Sequence, residues 1–375
     1  MNFDFSDDQK QLRDQMRRYL TDRCPSSAVR AILEGPEPYD RELYKGLGEM
    51  GFLGAAIPEE YGGVGLGHLE LCVLAEELGR VNAPVPVDSS IFVAAEFLLA
   101  AGSEAQKQAW LPKLASGEAV GTYAQAEGAG RVTAKSIKAS VSGGKLSGVK
   151  VPVADGDSAD LAIVAARAGG DERSISLYLV DLNGPGVSRE TVENIDPTRS
   201  QAKITFDGAP AELLGESGQG LRIAADVLDR AAVLTAFLQV GGSDRALEMA
   251  RDYALERMAF GRQIASFQAI KHMLADMYVA ATLARSNAYY GAWALSTNSS
   301  ELPVAAATAR VSAIQAFQHC AKNNIQVHGG MGFTWAFDCH LFYRRANNLA
   351  LSLGSQTTWE DLLIERMRRR NDAAA

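Results

Sequence analysis

The hydrophobic pattern of the chain changes twice, near residue 120 and near residue 220, and these changes restrict the fold more than any other feature. Before the first change and after the second, apolar residues recur every three or four positions, as in amphipathic helices. Between them, short apolar runs bounded by Gly, Asp, Ser and Pro favour β-strands. The sequence therefore predicts an α+β protein with a helical N-terminal domain (1–118), a β-barrel or sandwich middle domain (119–215) and a C-terminal four-helix bundle (216–375).

The N-terminal domain is expected to consist of short helices and one irregular loop. Its first helix should begin at Ser6, because a serine hydroxyl caps a helix and acidic residues suit the first turn. Further helices are expected at 43–50, 70–78, 91–99 and 104–114. The stretch FLGAAIPEEYGGVGLG holds a proline and five glycines, which argue against regular structure there.

The middle domain contains apolar runs typical of strands, and the C-terminal part contains long helical segments. The predicted strands are IKASV, KLSGVKVPV, LAIVAAR, ISLYLV and AKITF. Two glycines between Ser142 and Lys145 predict a hairpin turn, since glycine tolerates the left-handed backbone of such turns. The predicted helices cover 219–255, 265–296, 301–328 and 340–370, and helices of this length pack as a bundle.

Composition argues against several classes of function. The net charge of −8 and the pI near 5.3 disfavour nucleic acid or an anionic membrane as the main partner. The N-terminal sequence MNFDFSDDQKQ lacks the apolar run of a signal peptide, and no apolar stretch reaches the ~20 residues that span a bilayer. The four cysteines lie far apart without C-x-x-C spacing, so we expect reduced thiols, no metal site and a cytoplasmic protein.

The segment from Glu256 to Met277, ERMAFGRQIASFQAIKHMLADM, combines a helical period with residues suited to phosphate. Its apolar residues at spacings of three and four predict one face of an amphipathic helix, and they are Phe260, Ile264, Phe267, Ile270, Leu274 and Met277. Arg257 and the turn Phe260-Gly261-Arg262 place guanidinium groups and bare backbone beside an aromatic ring. The alternative is a capped surface helix with ordinary basic residues.

This segment resembles the C-terminal signature of the acyl-CoA dehydrogenase family, R-x-x-F-G-x-x-I-x-x-F-Q-x-x-K-x-x-x-A-D-M, and matches each defined position. The stretch from Gly51 to Gly65 is similar to a second family pattern, G-x-x-G-x-x-x-P-E-E-Y-G-G-x-G. Together with the helical, β, helical order, the resemblance covers nearly the whole chain. It implies the fold of that family and FAD as the cofactor.

In the middle domain, the resemblance implies that one loop meets the flavin ring. The segment from Tyr123 to Gly130 takes the place of the family's T-E-P-G-A-G-S-D, whose backbone hydrogen-bonds the ring. Glu127, Gly128 and Gly130 keep part of this pattern, and an Arg-Val pair replaces its Ser-Asp. The tryptophan that many members place over the flavin is missing, because the chain reads Lys150-Val-Pro-Val-Ala here. Without the resemblance, this segment would be a plain loop.

In the C-terminal domain, the sequence QVHGGMG after a helix resembles the family segment that meets the adenosine diphosphate half of FAD, commonly from a neighbouring subunit. Two adjacent glycines permit a phosphate to approach the backbone, although a glycine after a helix is also a common cap. The residues implied to hold FAD from this domain are Arg257, Phe260, Gln268, Gln326, Gly329, Gly330 and Ser355.

The family's catalytic base has no counterpart at its usual positions. Removing the α-proton of a thioester needs a base, which in this family is a glutamate, while flavin accepts the β-hydride. The glutamate of the family pattern Y-E-G-T corresponds to Leu353. The other family position lies 26 residues before the arginine of R-x-x-F-G, which is Ala231 here. Neither side chain can take a proton.

Three explanations stay open for the missing base. A nearby acid could substitute: Asp229 is the candidate, with Glu360 and Asp338 less well placed, although Asp229 could equally pair with Arg230 on the surface. A partner subunit could carry the glutamate, as in bacterial members that act on steroid-derived CoA thioesters, and we favour this explanation. Finally, the flavin could serve another reaction or none.

The implied activity is α,β-desaturation of an acyl-CoA, with electrons passed from FAD to an electron-transferring flavoprotein. The implied assembly is a homo- or hetero-tetramer, without nucleic acid and without membrane insertion. The alternatives are a non-catalytic subunit that completes a partner's FAD site and a flavin-dependent oxygenase on the same fold.

Overall fold

The computed structural model describes residues 6–168 and 174–374, so the first five residues of the N-terminal segment lie outside the described residues. The chain packs into two compact units, each made of separated stretches of sequence. The first unit comprises Met1–Arg30, His68–Ala83 and Ala232–Ala375. The second unit comprises Ala31–Gly67 and Pro84–Ala231. The domain boundaries after residues 118 and 215 stay a prediction.

The N-terminal part is helical, as predicted. Its helices are α1 (Asp7–Arg23), α2 (Ser26–Glu34), α3 (Arg41–Glu49), α4 (His68–Arg80), α5 (Val87–Ser89), α6 (Glu96–Ala101) and α7 (Glu104–Ala115), with a π-helical turn at Ser90–Ala95. The predicted cap of α1 is confirmed, because the Ser6 hydroxyl accepts the N–H of Gln9 and the Gln9 side chain accepts the N–H of Ser6. The glycine-rich loop contains one short 3₁₀ turn, Glu59–Tyr61, that was not predicted.

The middle of the chain forms one mixed sheet in the second unit. Its strands are β1 (Gly121–Ala124), β2 (Ser140–Ser142), β3 (Lys145–Ala154), β4 (Leu161–Ala168), β5 (Ile175–Asp181), β6 (Val187–Thr191), β7 (Gln201–Pro210) and β8 (Glu212–Leu214). They are ordered β6-β7-β3-β2-β4-β5-β8, and β1 pairs with β4 in parallel. The predicted hairpin turn is confirmed: Ser142 pairs with Lys145, and both intervening glycines have positive φ.

The C-terminal part is helical, as predicted, but with one more break than expected. Its elements are α8 (Gly220–Glu256), β9 (Met258–Ala259), β10 (Arg262–Gln263), α9 (Gln268–Ser296), α10 (Leu302–His328), α11 (Cys339–Leu351) and α12 (Gln356–Ala374), with 3₁₀ turns at Ile264–Ser266 and Gly329–Phe333. The single helix expected at 340–370 is wrong. Leu353 and Gly354 adopt φ of 58° and 107°, which ends α11 and turns the chain before α12.

The helical face expected from Phe260 onward is wrong over its first part, whereas the turn expected at Phe260-Gly261-Arg262 is present. Phe260 and Gly261 both have positive φ, 52° and 76°, and connect β9 to β10 in a two-residue hairpin. The apolar spacing misleads here because Ile264 and Ile270 still pack onto one cluster, from a 3₁₀ turn and from α9. That buried cluster consists of Ala246, Ala250, Ala254, Met277, Ala281, Cys320 and Val327.

Ion pairs join four helices of the first unit. On α9, Arg285 contacts Glu76 of α4 at 3.1 Å and also Asp244 of α8. Arg80 of α4 donates to Glu248 of α8 at 2.8 Å, and Arg17 of α1 donates to Glu77 of α4 at 2.6 Å. Because Glu76 and Glu77 are buried and would be costly to leave without a cation, these pairs fix how the four helices align. Within the described residues, no helix combines the length and the apolar character needed to cross a bilayer.

Candidate active site

The loop after β1 is held in place by a buried ion pair. Lys150 of β3 is fully buried, and its Nζ donates to the Glu127 carboxylate at 2.7 Å and to Gln125 O at 3.1 Å. The same carboxylate accepts the backbone N–H groups of Lys138 and Ala139 at 2.8 and 3.0 Å. The Glu127 side chain therefore turns inward and holds the loop.

The protonation states of this pair follow from its surroundings. Burial alone would raise the pKa of Glu127, but the hydrogen bonds from Lys150, Ala139 and Lys138 outweigh it and hold that pKa below its ordinary value. Burial lowers the pKa of Lys150, and Glu127 opposes that shift. The carboxylate is thus held in its ionised form by the residues that it holds in place.

Next to this pair, the backbone of the loop is open. The Gly128 N–H donates to Val151 O at 2.8 Å, which ties the loop to β3. Gly128 and Gly130 have φ of 129° and 107°, and a Cβ placed on either would meet no atom within 4 Å. Open peptide groups of this kind can approach a planar cofactor closely. The Glu127 carboxylate turns inward, whereas the backbone at Gly128 and Gly130 is open. The loop therefore fits the expectation that its main chain meets the flavin.

The first unit brings together the ends of α8 and α10. Tyr253, near the end of α8, stacks on His328 at the end of α10, with ring centroids 4.1 Å apart. His328 is buried, its Nδ1 lies 2.8 Å from Asn324 O, and burial lowers its pKa. This stack places the chain that continues to Arg257 beside the chain that continues to Gly329.

The side chains implied to bind FAD from this unit are exposed. Phe260, at the tip of the β9–β10 hairpin, is 95% exposed, and its ring meets Phe267 edge-on at 6.2 Å. The other exposed members of the set are Arg257, Gln268, Gln326, Gly329 and Gly330. Gly329 has φ of 58°, and neither glycine would place a Cβ within 4 Å of another atom. Guanidinium, amide and bare backbone suit the phosphates of a dinucleotide.

Ser355, also implied to bind FAD, caps a helix within this chain. Its hydroxyl accepts the N–H of Thr358 at 3.3 Å and lies 3.0 Å from the Thr358 hydroxyl. That is the geometry of a cap at the start of α12. Contact between Ser355 and FAD stays a prediction.

The two positions of the family's glutamate are a residue within α8 and a residue in the turn after α11. Ala231 is fully buried within α8. Leu353 is partly buried and adopts φ of 58°, a conformation that costs a residue with a Cβ about 1–2 kcal/mol. The chain therefore keeps both backbone positions without a proton acceptor.

The acids considered as substitutes are placed unequally. Asp229 is buried, with 4% exposure, so a surface position is wrong for it. Arg230 donates to Glu96 at 3.3 Å. Asp338 is held by Arg30 at 2.6 Å, and Glu360 accepts from its helical neighbour Gln356 at 2.7 Å. Among these acids, Asp229 is the buried one.

Two functional candidates escaped sequence reasoning, namely Lys150 as the holder of the loop and Arg310 within α10. Each had a signal: a lysine inside an apolar strand pattern, and a single arginine inside an alanine-rich helix. Both side chains are fully buried. Charged residues at such positions are rarely buried without a structural or functional partner.

Two family models match this chain. The model described as acyl-CoA dehydrogenase, N-terminal domain, matches residues 6–118, and the model described as acyl-CoA dehydrogenase, C-terminal domain, matches residues 218–367. Among curated proteins, acyl-CoA dehydrogenase IpdE2 of Mycobacterium tuberculosis is 31% identical over 352 residues, which cover 93% of this chain and 94% of that protein.

Two solved structures that carry paired names have the same fold. A variant of the steroid ACAD Tcur3481–Tcur3483 superposes with a TM-score of 0.88 and 29% identity, covering 98% of this chain and 99% of the other. The ChsE4–ChsE5 complex from Mycobacterium tuberculosis gives a TM-score of 0.88 and 26% identity, covering 99% of each chain.

Proposed function

Because this chain belongs to the acyl-CoA dehydrogenase family, whose members bind FAD, we propose that it is the FAD-holding subunit of a heteromeric dehydrogenase. The complex would desaturate a bulky acyl-CoA thioester, and the catalytic base would come from the partner subunit. A separate electron-transferring flavoprotein would take the electrons.

The observation that carries this proposal is the chemistry of positions 353 and 231. Desaturation removes the α-proton and the β-hydride of the thioester, and bound FAD supplies the hydride acceptor. The proton needs a base within hydrogen-bond reach. Leu353 and Ala231 offer only C–H groups, so the base has to come from elsewhere.

The relatives support a two-chain enzyme and a bulky substrate. Two of the similar structures carry names of paired components, and one of them is described as a steroid ACAD. For this chain we propose the same arrangement and a polycyclic, steroid-derived acyl group as the substrate class.

The residues of this chain would bind and orient the cofactor. The backbone at Gly128 and Gly130 would approach the flavin ring, held there by Lys150 and Glu127. The diphosphate half of FAD would be met by Arg257, Phe260, Gln268 and the 326–330 segment. A cation and open backbone suit phosphate oxygens.

A second candidate keeps the base within this chain. Asp229 is buried on α8, two residues before the vacant helix position, whereas its neighbour Asp226 is exposed beside Arg222. A buried carboxylate so close to that position favours Asp229 as the alternative proton acceptor.

The test is flavin bleaching under anaerobic conditions, with the chain alone and with a glutamate-bearing second subunit of the same family co-expressed. The probes are butanoyl-CoA, octanoyl-CoA and a steroid-derived acyl-CoA. We expect no bleaching with the chain alone and rapid bleaching with the steroid-derived thioester once the second subunit is present.

Variants separate the alternatives. Bleaching by the chain alone that is lost in Asp229→Asn but kept in the matched control Asp226→Asn would assign the base to Asp229 and overturn the partner-base proposal. Flavin that stays oxidised in every complex would identify a non-catalytic subunit. Reaction of the reduced flavin with oxygen on the bound thioester would identify an oxygenase.

A further inference from the structure

A cavity lies within the first unit, at a place where four helices begin or end. The helices α1 and α4 end there, α2 and α11 begin there, and α8 forms the remaining wall. The space that these helix ends leave unfilled has a volume of about 230 Å³. Each residue of its wall belongs to the first unit, so this unit contains the whole cavity.

The buried part of the wall is mainly apolar. Val29 of α2 and the pair Leu341 and Phe342 of α11 line it with buried side chains. Val81 and Met249 add further apolar surface. An apolar cavity of about 150 Å³ is already large enough to admit benzene. The cavity in this chain therefore has room for a single six-membered ring with a small substituent.

The charged side chains of the wall already have counter-charges. Arg80 donates to Glu248 at 2.8 Å, and Arg245 lies 3.5 Å from the same carboxylate. Asp338 is held by Arg30 at 2.6 Å. An ion that entered the cavity would lose hydration without gaining a free counter-charge from these pairs. The wall therefore favours a neutral molecule.

One acceptor in the wall has no donor. Asn82, which follows α4 with φ of 54°, is 2% exposed, and its Nδ2 donates to Leu341 O at 3.3 Å. This bond identifies the other end of the amide as the oxygen, because the reverse orientation would place two acceptors together. Within the described residues, Asn82 Oδ1 accepts no hydrogen bond. A buried acceptor without a donor is costly, so an O–H or N–H group that reaches this oxygen would be stabilised.

We propose that this cavity binds a neutral, ring-sized molecule with one O–H or N–H donor, the class of phenols and cyclic alcohols. The ring would pack on Val29, Leu341 and Phe342, and the donor would bond to Asn82 Oδ1. None of the residues that line the cavity belongs to the set implied to hold FAD. The inference thus goes beyond the proposed function, and its test needs no acyl-CoA.

The first test removes the acceptor. Fluorine NMR titration of the full-length chain gives the Kd for 4-fluorophenol and for 4-fluorotoluene, which has a similar size but no donor. Asn82→Gly deletes the amide at a backbone angle that suits glycine. We expect the Kd for 4-fluorophenol to rise about tenfold and the Kd for 4-fluorotoluene to stay within about threefold. Asn298→Gly is the matched control, since Asn298 is exposed and has φ of 48°.

The second test fills the cavity with an aromatic side chain. Val29→Phe does so from α2 and Met249→Trp from α8, and two variants are used because an added ring can overpack a helix contact. In each variant that melts within about 5 °C of wild type, the Kd for 4-fluorophenol should rise at least tenfold. Val279→Phe, which adds a ring at a 54% exposed position of α9, should leave that Kd unchanged.

Three outcomes would overturn the inference. A wild-type chain that binds 4-fluorophenol with a Kd no lower than about 5 mM would remove the site. A Kd that folded Val29→Phe or Met249→Trp leaves unchanged would place the probe elsewhere on the chain. Equal rises for both probes in Asn82→Gly, or tighter binding of 4-fluorobenzoate than of 4-fluorophenol, would refute the neutral donor as the ligand class.

Discussion

The two regions implied to hold FAD are built in opposite ways. In the second unit, the loop at Glu127 turns its charged side chain inward onto Lys150 and leaves bare backbone open at Gly128 and Gly130. In the first unit, the hairpin and the end of α10 turn Arg257 and Phe260 outward. The Glu127 and Lys150 side chains stabilise the first region. The fold of the second region does not depend on the Arg257 and Phe260 side chains.

This difference separates stability from binding. Substitutions of Glu127 or Lys150, the inward pair, should alter the stability of the fold and the amount of bound FAD together, because the same hydrogen bonds serve both. Changes at the outward side chains should leave folding intact and alter only binding, since these groups make few contacts within the described chain. Each prediction below tests one side of this contrast.

The largest effect is expected for Lys150→Met. The substitution leaves the Glu127 carboxylate buried without its cation, although two backbone N–H groups still bind it. We expect the free energy of unfolding to fall by about 2–4 kcal/mol and bound FAD to be lost. Urea denaturation and the ratio of flavin to protein measure both. Lys138→Met, an exposed lysine that contributes only its backbone N–H, is the control; if both variants behave alike, the inward pair does not stabilise the loop.

Phe260→Ala should weaken FAD binding without destabilising the chain. The ring is 95% exposed, so its removal costs the fold within about 0.5 kcal/mol. Loss of an aromatic contact with the cofactor should raise the Kd for FAD about tenfold, or ~1.4 kcal/mol. Fluorescence titration of apoprotein with FAD measures the Kd. Phe267→Ala, at a half-buried ring beneath the Arg262 guanidinium, should show the opposite pattern, with lower stability and a smaller change in Kd.

Gly330→Ala tests whether the cofactor approaches the backbone at the end of α10. The added methyl group would meet no protein atom within 4 Å, so stability should be unchanged within about 0.5 kcal/mol. The methyl group would stand between the peptide and a phosphate, and we expect an approximately threefold rise in the Kd for FAD. Thermal melting and the same titration report the two quantities. An unchanged Kd would place the diphosphate away from this peptide.

The smallest effect is expected in the pH dependence of stability at Glu127. Its pKa in the folded chain lies below the ordinary value of 4.5, so the stability it contributes is present above that value and is lost as the pH falls through the folded pKa. Unfolding by urea at about pH 6 and about pH 4 should therefore show a steeper loss in wild type than in Glu127→Gln. Parallel losses would mean that the carboxylate is not held ionised by its hydrogen bonds.

Much of the fold followed from periodicity and capping residues. The Ser6 cap, the hairpin at 142–145 and the long helices of the C-terminal part were predicted with small errors in their bounds. The break at Leu353 was not predicted, because this residue is apolar and continues a helical spacing. At Phe260 a turn was expected, but the left-handed backbone of Phe260 and the short strands on each side of it were not. The left-handed backbone is imposed by the hairpin at Phe260 and by buried hydrogen bonds at Leu353.

The candidate site was predictable only as a set of positions. The resemblance implied Glu127, but the direction of its carboxylate depends on Lys150, which lies 23 residues away in sequence. The sequence allowed Asp229 to be either a substitute base or a surface residue paired with Arg230. Its burial is a result of how α8 packs. Local sequence carries no information on these contacts.

The sequence by itself determined the family, the order of helical and β segments, and the absence of a proton acceptor at positions 353 and 231. These depend on residue identity and on local periodicity, which any stretch of chain carries with it. Only the tertiary structure decided that Glu127 holds its loop, that Phe260 is exposed on a hairpin and that Arg310 supports the turn at Leu353. The reason is physical: burial and hydrogen bonding join residues distant in sequence, so a side chain's direction is set by neighbours that its own segment does not contain.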